Sequence, residues 1–151
     1  MNSFAVLVLV VVAHLSYYDP HICTLGDTWD FTRNCGDPAN PYRMAGGHDA
    51  RAWYGRALAC PMEFGYGSHW SLPAVRGDVA TPAREWVCLD RGGAIVSSVD
   101  ADGNIHVALD LLLPYRIVGS TVLVTYRGPV AYALLKRVQR ASETCVDKVM
   151  C

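Results

Sequence analysis

The sequence predicts an all-β domain, many short strands closing into a small barrel, followed by one C-terminal helix. Three features carry this reading. β-branched and aromatic residues occur in short runs, often alternating with polar ones. Glycine, proline and Asx turn pairs separate those runs. The spacing becomes helical only after Gly128-Pro129, and all-β chains with short strands and Gly/Pro turns close as sandwiches or barrels. The 151 residues suit a barrel domain over 1–127 and a helix with a tail over 128–151.

The first strand starts in Phe4–Ala13, an apolar run rich in valine that continues with alternation through Tyr18. The same run has a second reading, a signal peptide with Val11-Val12-Ala13 as cleavage site, but no Lys or Arg precedes it. Residues 19–50 read as a long loop, because Asp19-Pro20, Gly26-Asp27, Gly36-Asp37-Pro38, Asn40-Pro41 and Gly46-Gly47 are turn formers. Such a loop is functional or held by cross-links, and Cys23 with Cys35 would clip it. Short strands are expected in 51–60, 67–73 and 85–90. A hairpin of Ala94–Val99 and Asn104–Leu109 follows around Asp102-Gly103, a strong turn pair. Ile117–Tyr126 is the last strand. Pro129 suits a first helical position, and Val130, Leu134, Val138 and Ala141 form one face of a helix packed on the barrel.

The composition excludes several classes. Lys plus Arg number 13 against 14 Asp plus Glu, without the basic excess of a nucleic-acid binder. The longest apolar run is half of the ~20 residues that a spanning helix needs. Apolar residues make up 52% of the chain and charged residues 18%, so a packed core is expected rather than disorder. Six cysteines, Cys23, Cys35, Cys60, Cys88, Cys145 and Cys151, include no CxxC pair. An even count without zinc spacing points to disulfides and an extracytoplasmic setting: secreted, cell-wall-associated or virion-borne. Sequence alone leaves all pairings open.

The chemistry centres on two acids. Asp110 sits in the apolar run Val107–Pro114, where an isolated carboxylate is expensive to bury. Such a group has a partner or a raised pKa, and a protonated carboxyl is what a general acid needs. Asp90 precedes Arg91 and the turn Gly92-Gly93, where backbone N–H groups are exposed and a ligand can approach closely. Arg91 would favour the ionised form of Asp90. The pair fits acid catalysis with an electrostatic helper, and it also fits a salt bridge or a turn cap.

The segment Asp90-Arg91-Gly92-Gly93-Ala94-Ile95, followed by Leu109-Asp110-Leu111, resembles the signature of the 3D domain, named for three aspartates. That domain is similar to the catalytic barrel of MltA-type lytic transglycosylases, to RlpA-like proteins and, more distantly, to expansins. The resemblance spans about residues 10–127. It implies a six-stranded double-psi β-barrel with a long N-terminal loop and a C-terminal α-helix. Asp90 matches the family's second aspartate and Asp110 the third, the catalytic acid/base. Cys60-Pro61 stands where the family has its first aspartate, followed by proline. Val96-Ser97 replaces the usual Lys-Gly.

The implied activity is cleavage of the β-1,4 glycosidic bond of peptidoglycan by a single Asp acid/base, without cofactor or metal. Arg91, Gly92, Gly93, Trp53 and Tyr54 would bind the glycan. Cys60 and Cys88, on neighbouring strands of such a barrel, would form a disulfide. Cys145 and Cys151 would pair with each other or with another chain. The alternative is a non-catalytic glycan-binding or structural module of a virion or extracellular assembly, self-associating through the N-terminal strand or the C-terminal helix.

Three weaker patterns have plain readings. Asp100–Asn104 begins like a calcium loop but lacks the closing glutamate, so a hairpin turn is expected. His21-x-Cys23 and His48-Asp49 read as loop polar contacts rather than ligands. Tyr66, Trp70 and Trp86, like Trp53 and Tyr54, are core aromatics or sugar-stacking faces.

Overall fold

The computed structural model describes residues 7–25, 37, 39–75 and 83–147, with the side chains of residues 145–147 outside that set. Seven strands form among the described residues: β1 Leu7–Tyr18, β2 Ala57–Ala59, β3 His69–Leu72, β4 Arg84–Asp90, β5 Ser97–Val99, β6 Ile105–Leu112 and β7 Ser120–Gly128. Helix α1 spans Tyr132–Asp147. None of the described helices is long and apolar enough to cross a membrane.

The strands hydrogen-bond in the order β1-β7-β3-β4-β2-β6, and β6 returns to β1, so the sheet closes into a six-stranded barrel. The β1–β6 and β2–β4 contacts are parallel. The other four contacts of the ring are antiparallel. β5 stands outside the ring as the free arm of the β5–β6 hairpin. Closure removes the open edges that a flat sheet would offer to other chains.

Alternation decides what lies inside. Val11, Ala13 and Leu15 of β1 point inward, as do Ile105, Val107, Leu109 and Leu111 of β6. The core is capped by an aromatic cluster. Phe64, Trp70 and Tyr126 pack edge to face with centroids 4.7–5.0 Å apart. The Trp70 indole N–H is satisfied by Ser68 Oγ at 3.1 Å, and the Tyr126 hydroxyl donates to the carbonyl of Pro129. Trp70 and Trp86 are fully buried, which settles them as core.

A second, smaller cluster lies on the outside of β2, β4 and β6. Met44, Ala50, Ala57, Leu89 and Leu112 are buried there, with Tyr42, Trp53 and Tyr54 packed against them. The segment 39–56 therefore lies flat on the outer wall of the barrel. Asp49 starts its short 3-10 turn, Ala50–Ala52, by accepting from the Arg51 N–H. Asp19 plays the same part at Pro20–Thr24.

Several boundaries differ from expectation: β5 starts at Ser97 rather than Ala94, β6 runs on to Leu112, and β7 spans Ser120–Gly128 rather than Ile117–Tyr126, and two further differences have a clear cause. The run 51–60 contributes a strand only over Ala57–Ala59, because the capped turn and Gly55 (φ +73°) occupy its first half. The helix starts at Tyr132 rather than at Pro129. Val130 first bridges Phe64, and the Ala131 N–H donates to the Glu63 carbonyl at 2.7 Å, which keeps the chain extended. Part of the expected face is present: within the helix Leu134 is buried and Val138 packs on the core, while Val130 packs there from the extended segment before it. Asp100–Asn104 forms the expected hairpin turn. Asp100 Oδ1 accepts from the Asp102 and Asn104 N–H groups, and Gly103 takes the left-handed φ of +86°.

The expected Cys60–Cys88 disulfide is present, joining the end of β2 to β4 across 28 residues of sequence. Cys23 is also disulfide-bonded. Cys35, Cys151 and the side chain of Cys145 lie outside the described residues. A cross-link closing a loop of this length restricts the unfolded chain by about 3–4 kcal/mol. The Cys60→Ala/Cys88→Ala double variant is therefore expected to lose about that much unfolding free energy in urea denaturation. A loss below about 1 kcal/mol would show that the barrel closes without the staple.

Candidate functional site

The site is set by the register of three strands. In β2, Ala59 pairs with Asp90 of β4 on one side and with Asp110 of β6 on the other. Strict alternation would not give this row. Ala57 pairs with Val87 and Leu58 with Cys88, and then the register slips so that Ala59 meets Asp90. Leu89 is the extra residue. A bulge of this kind turns the following side chain to the other face. Cys88 stays in the core, Leu89 enters the outer cluster, and Asp90 follows it to the outside. Asp110 is outward by simple alternation between Leu109 and Leu111. Two acids thus share one outer row, about 10 Å apart along the backbone at two strand spacings.

Asp90 is held by three donors. Tyr18 Oη–H reaches Oδ2 at 2.9 Å, and the N–H groups of Ala45 and Arg91 reach Oδ1 at 2.8 and 2.9 Å. Burial, then the adjoining Asp90 charge, push the Tyr18 hydroxyl far above its ordinary value, so it remains a donor. The Ala45 contact depends on Gly46. Its N–H donates to the Leu89 carbonyl at 3.0 Å, and a Cβ there would stand 2.7 Å from that oxygen. Glycine lets the loop seat against the bulge.

Asp110 has fewer partners. Ser16, opposite it on β1, donates to Oδ1 at 2.8 Å. Burial raises the Asp110 pKa, the Ser16 hydrogen bond opposes this, and the Asp90 charge adds to the rise. The pair therefore holds one acid met by three protein donors and one whose pKa burial raises.

Both acids open into a groove of ≈ 680 Å³ between the 92–95 turn and the segment 41–45, floored by Ala59. This is the size of a small-ligand cleft. Gly92 and Gly93 line it, as expected. Arg91 borders the groove, but its guanidinium is committed elsewhere. It donates to the carbonyls of Cys60, Pro61 and Phe64 at 3.0, 3.2 and 2.6 Å, and to both disulfide sulfurs. Tyr66 covers it at 4.1 Å from ring centroid to guanidinium carbon. The backbone N–H of Arg91, not its side-chain charge, supports Asp90.

Trp53 and Tyr54 do not line the groove. They belong to the outer cluster, where Trp53 carries the Arg56 guanidinium at 4.8 Å and Tyr54 donates to Asp19. Ser16, Tyr18 and Ala45 complete the site without having been anticipated. The alternation of His14, Ser16 and Tyr18 along β1 was the available signal for the first two. His21 meets the Tyr42 hydroxyl at 2.7 Å, and Asp49 pairs with Arg51. Among the described residues no group of three or more His, Cys, Asp or Glu side chains is placed to hold a metal ion.

No family model, curated protein or solved structure matches the chain. The site is accordingly argued from its geometry.

A carboxyl whose folded pKa is raised binds its proton more tightly in the native state. It is neutral to stability below the unfolded value of 3.8 and destabilising once pH rises past it. Asp110→Asn, which keeps an acceptor for Ser16, is expected to melt above the wild type at neutral pH. The difference should shrink to nothing in acid. Thermal melts of both proteins across pH check this, and equal melting temperatures at neutral pH would contradict it.

Proposed function

We propose that the groove is a glycan-cleaving site of the lytic transglycosylase type, on a barrel of the double-psi class. The observation that carries this reading is Asp110: a carboxyl whose pKa is raised by burial, facing a groove, in one row with a second acid held by three donors. The mixed six-stranded ring with two parallel contacts, and the placement of Asp90 and Asp110 in one row, support the resemblance to the 3D-domain and RlpA-like families.

In this mechanism Asp110 protonates the glycosidic oxygen of a β-1,4 bond of peptidoglycan. The C–O bond breaks, and positive charge develops at the anomeric carbon and ring oxygen. Asp90 stabilises that charge. The Asp110 carboxylate then takes a proton from the sugar's own hydroxyl, which attacks the anomeric carbon and gives an anhydro product. No water is activated, which separates this scheme from two-carboxylate hydrolysis. Ser16 fixes the Asp110 rotamer, and Tyr18 and Ala45 fix Asp90. A disulfide-bonded domain of this chemistry belongs outside the cytoplasm.

A second reading, a non-catalytic glycan-binding or assembly module, is favoured by one observation. The position of the family's first aspartate is held by Cys60, buried in the disulfide.

Digestion of purified peptidoglycan separates the two. The wild type is expected to release anhydro-muropeptides, and Asp110→Asn to lower the rate by about 10²-fold or more. The high-pH limb of the rate profile should move to lower pH in Asp90→Asn, because removing that negative charge lets Asp110 ionise more readily. Equal release by wild type and Asp110→Asn would remove Asp110 from the chemistry. Sedimentation with the glycan but no release would leave the binding module.

A further inference from the structure

On the outer wall of β1 and β6, away from the groove lining, two histidines meet. His14 Nε2 lies 3.2 Å from His106 Nδ1, with the rings within 20° of parallel. The remaining ring nitrogens are also occupied. His106 Nε2 is 3.0 Å from Asp100 Oδ2, and His14 Nδ1 is 3.1 Å from Thr121 Oγ1. The Asp100 carboxylate also takes the Asp102 and Asn104 N–H groups, so it stands as an acceptor toward His106. In the tautomer that donates its Nε2–H to Asp100, His106 turns a bare Nδ1 toward His14.

We infer that His14 and His106 form a two-histidine site for a divalent transition metal of the zinc, nickel and copper class. Two nitrogens bound to one such ion at ~2.0–2.1 Å stand ~2.9–3.4 Å apart between right-angle and tetrahedral geometry. The observed 3.2 Å falls in that interval. The outer partners match those of metal-bound imidazoles, whose second nitrogen donates to a carboxylate or other oxygen. Asp100 already accepts from His106. Moving the His14 proton from Nε2 to Nδ1 lets it donate to Thr121 Oγ1 and frees Nε2. In that tautomer His14 Nε2 and His106 Nδ1 each present a lone pair to one ion, and the proton moved within His14 need not leave the ring.

The place is accessible. His14 is exposed and His106 has a side-chain exposure of 29%. Solvent reaches both rings, so water fills the other coordination positions. Imidazole ligands select zinc, nickel and copper over calcium and magnesium.

The inference does not rest on the glycan reading, because no groove-lining residue takes part. The site does lie one alternation from Ser16 along β1 and two from Asp110 along β6, on the same outer face.

The test is titration of the full disulfide-intact chain with Zn²⁺ and with Ni²⁺, followed by calorimetry and by imidazole ¹⁵N resonances. One ion is expected to bind and to shift His14 and His106 while leaving His21, His48 and His69 in place. His14→Gln and His106→Gln should each abolish that site. Asp100→Asn should keep the stoichiometry with affinity about 10–100-fold weaker. His69→Gln, on another strand, should bind as the wild type does. Because the ¹⁵N readout uses the unaltered protein, misfolding of a variant does not blunt it. No binding by the wild type, metal-induced shifts at other histidines alone, or full binding by either His14→Gln or His106→Gln would overturn the site.

Discussion

The one-residue slip between β2 and β4 is the constraint on which the rest of the outer face depends. Without it, Asp90 would follow Cys88 by two residues into the barrel, where a carboxylate would meet Trp86 and Leu58 instead of donors. With it, Asp90 comes out beside Leu89, which alternation already places in the outer cluster, and stands level with Asp110. The slip is held from both sides. Inside, the disulfide fixes Cys88 to the end of β2. Outside, the Gly46 N–H bonds to the Leu89 carbonyl, and Ala45 next to it donates to Asp90.

Arg91 links these two sides. Its backbone supports Asp90 while its guanidinium runs back over the disulfide and ties down the carbonyls of Cys60, Pro61 and Phe64. Five donors on a planar fork suit this task, because several carbonyls at a strand end need partners at once. The turn carrying Gly92 and Gly93 thus grows from a rigid base. Rigidity matters for the proposed chemistry: an acid and its electrostatic helper act only if their separation survives contact with a substrate.

Most strands were legible in the chain. Alternation placed β1 and β3, the Asp102-Gly103 pair placed the hairpin of β5 and β6, and helical spacing placed the buried face of α1. The two acids were legible as well, Asp110 because a charge among leucines demands an explanation and Asp90 because of the glycine turn behind it. Other features were not. A bulge leaves no trace in composition, since Trp86–Asp90 reads as an ordinary strand. The destination of the Arg91 side chain depends on carbonyls 27–31 residues away in sequence. Trp53 and Tyr54 looked like sugar platforms, but the folding of 39–56 onto the outer wall gives them apolar neighbours instead. The His14–His106 contact joins residues 92 apart, which no local pattern announces.

The most direct measurement is the titration of individual Asp carboxyl carbons by NMR, in the wild type and in Asp90→Asn. If the two acids share the outer row, Asp110 titrates above the ordinary carboxylate value of 3.8 and moves down when Asp90 loses its charge. An Asp110 midpoint at or below that value, or one indifferent to the Asp90 substitution, would mean that the two carboxyls do not face one groove.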